Sequence, residues 1–146
     1  MMGDIAPDFV LPSTGGNDFH LNEQLRNGKL VLYFYPKDFT SGCTAEACGF
    51  RDEFSELKGS NLDVFGVSRD TLQSHQKFKN EYSLPFELLA DVDGRVSRLY
   101  GVYNKLFRMA NRVTFVIGEG GAILSVTKNL FSPGVHIDAA RVQSRK

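Results

Sequence analysis

Tryptophan is absent, cysteine is nearly so, and neither sign of charge is in excess in this chain of 146 residues. Each shortage excludes something. The two cysteines, Cys43 and Cys48, are too few for the disulfide framework of a small secreted domain, and they form no Cys-x-x-Cys pair. The 17 basic and 17 acidic side chains cancel, with no run of one sign. That leaves no electrostatic footprint for nucleic acid or an anionic membrane. No segment approaches the roughly 20 apolar residues of a membrane span, and Met1 to Leu11 lack the regions of a secretory signal. A soluble, cytoplasmic protein is expected, and the initial Met1 argues against a cleaved organellar leader. The three histidines, His20, His75 and His136, show no metal-ligand spacing, so neither a metal nor another cofactor is expected. Repeats, low-complexity tracts and linkers are missing too, and the length suits one domain over residues 1–146.

What is present is an alternation of short periodic segments. Turn chemistry at Pro12 to Asn17 precedes a continuous apolar run, Leu30 to Tyr35, which reads as a central strand buried on both faces and ending at Pro36. From about Gly42 to Leu57, apolar side chains at Ala47, Phe50, Phe54 and Leu57 recur at helical spacing, with Gly59 as the stop. A strand over 62–67, a helix over 71–82, a strand over 86–90, a short helix over 96–100 and a strand over 112–117 follow. The glycine-rich turn at 118–121 then leads into a last strand over 122–126, making a hairpin. Alternating strands and helices with a terminal hairpin imply an α/β fold, a mixed central sheet flanked by helices.

Cys43 stands in the first turn of the helix that follows the central strand. Thr40 or Ser41 can cap that helix, and its unsatisfied N–H groups and dipole favour the thiolate, which is the nucleophile. On the helical wheel Cys43 shares the stripe of Ala47, Phe50 and Phe54 and points to the core. Cys48 falls with Thr44, Arg51, Asp52 and Ser55 on a more polar face. Five helical residues separate the Cα atoms by about 8.6 Å, whereas a disulfide needs less than about 7 Å. Any bond between them therefore requires the first turns to unwind. Free cysteine is also a common buried hydrophobe, and on spacing alone two inert thiols remain an equal reading.

The stretch Pro36-Lys37-Asp38-Phe39-Thr40-Ser41-Gly42-Cys43 resembles the peroxiredoxin signature Pro-x-x-x-Thr-x-x-Cys, and Thr44 to Asp52 resembles the peroxiredoxin Q, or bacterioferritin comigratory protein, subfamily. The likeness continues through Ala6-Pro7-Asp8-Phe9, Ser74-His75, Leu84-Pro85-Phe86, Arg112 to Ile117 and His136-Ile137-Asp138. One departure is Ser41, where the subfamily usually has proline, which bears on the rigidity of the loop. The resemblance implies a thioredoxin-like fold and reduction of hydrogen peroxide or organic hydroperoxides through a cysteine sulfenic acid. It further implies that Cys43 attacks peroxide, that Cys48 resolves the oxidised sulfur as a disulfide, and that Pro36, Thr40 and Arg112 support them. Thioredoxin or a glutaredoxin would recycle the enzyme, a monomer by analogy.

The chemistry matches these residue types. Negative charge builds on the departing peroxide oxygen, and fixed donors stabilise it better than mobile water. Arg112 is a permanent cation with planar donors, the Thr40 hydroxyl both donates and accepts, and the N–H groups of Gly42 and Cys43 complete a substrate pocket. Arg112 shares a strand face with Thr114 and Val116, at the sheet edge near a helix N-terminus; a surface arginine is the plain alternative. Glu46 bonds either to the first-turn backbone or to an arginine, or is simply exposed. Two other functions compete: a thioredoxin-like disulfide reductase, which would need Cys-x-x-Cys, and a binding or chaperone module with inert cysteines.

Overall fold

The computed structural model describes residues 3–128 and 133–144; Met1 lies outside them. In chain order the elements are β1 (Val10–Leu11), β2 (Phe19–His20), α1 (Leu21–Gln24), β3 (Lys29–Phe34), α2 (Ser41–Gly59), β4 (Leu62–Ser68), α3 (Leu72–Tyr82), β5 (Glu87–Ala90), α4 (Arg95–Leu99), β6 (Tyr103–Asn104), β7 (Met109–Ala110), β8 (Val113–Ile117), β9 (Ile123–Lys128) and α5 (Pro133–Ser144). Five strands make one mixed sheet in the order β5-β4-β3-β8-β9. Strand β3 runs parallel to β4, which is parallel to β5, while β8 is antiparallel to both β3 and β9.

Strand β3 is central because its sequence lets it bury both faces. Leu30, Leu32 and Phe34 join Phe65, Val67, Leu89, Phe115 and Ile117 in one core, covered by the N-terminal segment, α1 and α4. Val31 and Tyr33, with Tyr35 just past the strand, join Val64, Leu88 and Val116 in the other core, under α2, α3 and α5. The expected alternation of β8 holds: Val113, Phe115 and Ile117 face the first core and Val116 the second. Helix α2 lays Cys43, Ala47, Phe50 and Leu57 on the sheet, with Phe54 half-buried.

Boundaries move for local reasons. Helix α2 does not stop at Gly59 but includes it; Ser60 caps the end and Asn61 turns the chain at φ 62°. Thr71 is the cap of α3, not its first residue, and its side chain accepts from the Ser74 N–H at 3.2 Å. Strands β1, β2, β6 and β7 and helices α1 and α5 lie beyond what the sequence pattern predicts. No helix among the described residues is long and apolar enough to cross a membrane.

Candidate active site

Three elements converge where β3 leaves the sheet. The Tyr35 N–H still reaches Val67 O at 3.0 Å, and Pro36 then turns the chain into the loop that starts α2. Because β8 is antiparallel to β3, with Phe34 opposite Val113, Arg112 falls beside this exit. Since β8 begins at Val113 and not at 112 as expected, Arg112 stands one residue before an interior strand and not on a sheet-edge strand. Nor is it a surface arginine, since only 6% of it is exposed.

Among the described residues its guanidinium reaches two acidic groups. Nη2 donates to Cys43 Sγ at 3.4 Å, and Nη1 donates to Glu46 Oε1 at 2.7 Å. Cys43 is 1% exposed and Glu46 fully buried. The close approach explains Gly42: a Cβ there would lie 2.9 Å from Arg112 Nη2. Of the arrangements open to Glu46 in the sequence, the structure adopts the bond to an arginine. Its other oxygen, Oε2, has no hydrogen-bond partner among the described residues but lies 3.7 Å from Nδ1 of buried His136 on α5. That nitrogen is 2.7 Å from Thr114 Oγ1.

Burial pushes the Glu46 carboxyl up to about 7, more than the attraction of Arg112 can hold down. Burial also works against the Arg112 cation, but Glu46 and Cys43 outweigh it and raise its pKa further. The arrangement is a permanent cation pressed on a buried sulfur, with a second acid in competition for it. A thiolate at Cys43 held in this way is a nucleophile with a fixed donor beside it.

The remaining predicted residues are placed differently. Thr40 occupies the cap position of α2, yet its side chain makes no capping bond; the hydroxyl donates instead to Lys37 O at 2.9 Å, and only its carbonyl serves the helix, accepting from the Thr44 N–H. Ser41 is the first residue of the helix. Pro36 lines a shallow groove of about 210 Å³ with Lys37, Asp70 and Arg108. Hydrogen bonds thus bring together Cys43, Arg112 and Glu46, with Gly42 against the guanidinium, but join neither Thr40 nor Pro36 to them. Cys48 is a half-buried free thiol on the same helix.

Sequence reasoning missed one polar cluster. Ligand-type atoms of Asp38, Asp70 and His75 lie within 4.8 Å of one another, close enough for a shared cation. Their lone pairs are already engaged: Tyr35 Oη, Ser74 Oγ and the ring of His75 all bond to Asp38, while Ser68 Oγ and the Asp38 N–H donate to Asp70. The group reads as a hydrogen-bonded clamp. Positions 37 apart carry no spacing signal, although Asp38 stood inside the signature stretch and His75 inside the resemblance.

The AhpC/TSA family model matches residues 2–126. A putative peroxiredoxin bcp of Coxiella burnetii (strain RSA 493 / Nine Mile phase I) is 45% identical over 131 residues, spanning 86% of each chain. Peroxidoxin BcpB from Mycobacterium tuberculosis superposes with a TM-score of 0.92 at 35% identity, over 99% of this chain and 96% of that one. The bacterioferritin comigratory protein of Xanthomonas campestris, described for its alkyl peroxide reduction activity, gives a TM-score of 0.81 at 26% identity, over 93% and 92%.

Proposed function

This chain belongs to the AhpC/TSA family and is a thiol-dependent peroxidase of the peroxiredoxin type with the thioredoxin-like fold, and we propose that Cys43 attacks the peroxide and Cys48 captures the oxidised sulfur. The observation that carries the first assignment is the buried Cys43 Sγ facing Arg112 Nη2 at 3.4 Å.

In this reading the Cys43 thiolate attacks the terminal oxygen of hydrogen peroxide or an alkyl hydroperoxide. The S–O bond forms as the O–O bond breaks, and the departing oxygen keeps the electron pair and takes up a proton, leaving as water or an alcohol. Arg112, with the main-chain N–H groups of Gly42 and Cys43, is placed where that charge develops. Thr40 and Pro36 shape the approach. Cys48 next attacks the sulfenic sulfur; the S–S bond forms, the S–O bond breaks, and water leaves. This spares Cys43 from sulfinic and sulfonic states. An external dithiol, thioredoxin or a glutaredoxin, returns two electrons by exchange. Both thiols lie in α2, so the helix geometry above makes local unwinding part of the cycle. We assign the protein to a single domain working as a monomer in the cytoplasm.

Cys43→Ser is expected to abolish peroxide consumption with a dithiol reductant; full retention would refute the assignment. In Cys48→Ser, mass spectrometry after one equivalent of peroxide should find a persistent sulfenic acid at Cys43. Wild-type protein given the same treatment should instead carry an intramolecular Cys43–Cys48 disulfide, and its absence there would remove Cys48 from the cycle.

A further inference from the structure

One residue before Thr40, the chain is strained. Phe39 takes φ 68°, the left-handed region that an aromatic L-residue occupies only when its surroundings impose it. Phe39 is 46% exposed, and its ring meets Phe78 edge-on at 5.1 Å and Tyr82 at 6.5 Å, both on α3, contacts of a half-open side chain that leave its backbone unexplained. The dense hydrogen bonding lies at the preceding residue. Asp38, 3% exposed, accepts from Tyr35 Oη at 2.6 Å, from Ser74 Oγ at 2.8 Å and meets His75 Nδ1 at 2.7 Å. Its own N–H donates to Asp70 Oδ2 at 2.9 Å. His75 is fully buried, and its Nε2 lies 2.9 Å from Leu89 O; a carbonyl only accepts, so that nitrogen carries a hydrogen. Asp38 is thereby tied to the exit of β3, the end of β4, the first turn of α3 and, through His75, β5.

Resting on the cysteine assignments above, we propose that Asp38 and His75 are positioning residues of the peroxidase cycle. Their buried contact holds the strained turn at Phe39 and so sets how readily the first turn of α2 unwinds to bring Cys43 to Cys48. Asp38 is the last anchored residue before the segment that must move. Downstream of it, the loop before Cys43 is held by local bonds: Thr40 Oγ1 to Lys37 O and the Thr44 N–H to Thr40 O. With the clamp intact, the strain is held and Cys43 stays under Arg112. With the clamp broken, relaxation at Phe39 favours the unwound form. The clamp touches neither sulfur nor Arg112 in any described hydrogen bond, so its effect passes through the backbone of 39–42.

Rapid-quench mass spectrometry separates the two steps: the second-order oxidation of Cys43 by hydrogen peroxide and the first-order closure of the Cys43–Cys48 disulfide. Asp38→Asn is expected to slow oxidation and speed closure, each by about tenfold, the scale of one buried charge-assisted bond. His75→Leu should do the same, while His75→Gln, whose side-chain amide can still bond to Asp38, should fall between. Phe39→Gly relieves the strain with the clamp in place and should slow closure by about fivefold. Combined with Asp38→Asn, it should return both constants toward wild type. A general loss of structure would not change the two steps in opposite directions, nor be rescued by a glycine. Unchanged constants in Asp38→Asn, or a parallel fall with no rescue, would overturn the proposal. Should that variant not fold, an unchanged closure rate in Phe39→Gly overturns it alone. If wild-type protein closes no Cys43–Cys48 bond, Cys48 is not the resolving residue and the clamp proposal falls with it.

Discussion

Arg112 has to satisfy two acids with one guanidinium, and that division sets its chemistry. One amino group holds Glu46 at 2.7 Å while the other faces Cys43 Sγ at 3.4 Å. A planar fork can do both; an ammonium, a single point of charge on a flexible stem, cannot. Arg112→Lys is therefore expected to keep the fold and the charge but lower kcat/KM for peroxide by about a hundredfold, the scale of losing one fixed donor to developing charge. Steady-state peroxidase kinetics check it, and activity within threefold of wild type would show that charge alone suffices. At this scale the sequence was legible where a motif supplied the environment. Cys43 and Arg112 lie 69 positions apart, and only the resemblance joined them. Burial of Glu46 could not be read, because an acid in the first turns of a helix reads as solvent-facing unless its partner is known. Thr40 misled for a related reason: a threonine before a helix usually caps it, but here the Lys37 carbonyl takes the hydroxyl.

Elements were legible in proportion to their length and periodicity. The apolar run of β3, buried on both faces, the one-sided stripe of α2 and the hairpin of β8 and β9 each carry a pattern long enough to be read. The two-residue strands β1, β2, β6 and β7 have no room for a period. Helix α5 hides for another reason: its buried positions are His136, Ile137 and Ala140, while Val135 and Val142 are exposed, so hydropathy points the wrong way. Yet α5 closes the back of the site, bringing His136 toward Glu46 and packing against α2 at Gly49. There a Cβ would lie 2.4 Å from Ile137 Cδ1. That contact is the tip of a flexible side chain, so alanine is tolerable, but a branched chain of four carbons has no space. Gly49→Leu is expected to destabilise the protein by about 1–3 kcal/mol, read as a lower urea midpoint at constant slope. An unshifted midpoint would mean that α5 does not bear on α2 as described.

Across the whole molecule the charges balance, with 17 of each sign, so the pH dependence of stability is set by a few carboxyls in unusual surroundings. Asp8 and Glu87 both lie below the ordinary range: burial opposes their charge, but hydrogen bonds from His20 and from Lys79 respectively outweigh it. They contribute stability at neutral pH that is lost as pH falls through their folded pKa values. Glu46 works in the opposite sense. Burial raises it from 4.5 to about 7, so between those values the folded state binds more protons than the unfolded chain, and stability falls as pH rises. The native state is spared this cost below pH 4.5, where Glu46 is neutral in both states, and bears it in full above 7. With the shift converted at 1.36 kcal/mol per unit, the cost reaches about 3 kcal/mol at most. Glu46→Gln keeps an acceptor for Arg112 Nη1 and removes the titration, and Asp8 and Glu87 cancel when the two proteins are compared. Urea unfolding at a series of pH values should therefore show wild type losing stability relative to Glu46→Gln from about pH 4.5 to about 7 and running parallel to it outside that range. Parallel curves throughout would place the Glu46 proton elsewhere. The same ionisation decides how much of Arg112 is left for Cys43: once Glu46 is charged it competes fully for the cation that the sulfur needs. In this fold, the group that makes the interior less stable near neutral pH is the one that shares the Arg112 guanidinium with Cys43.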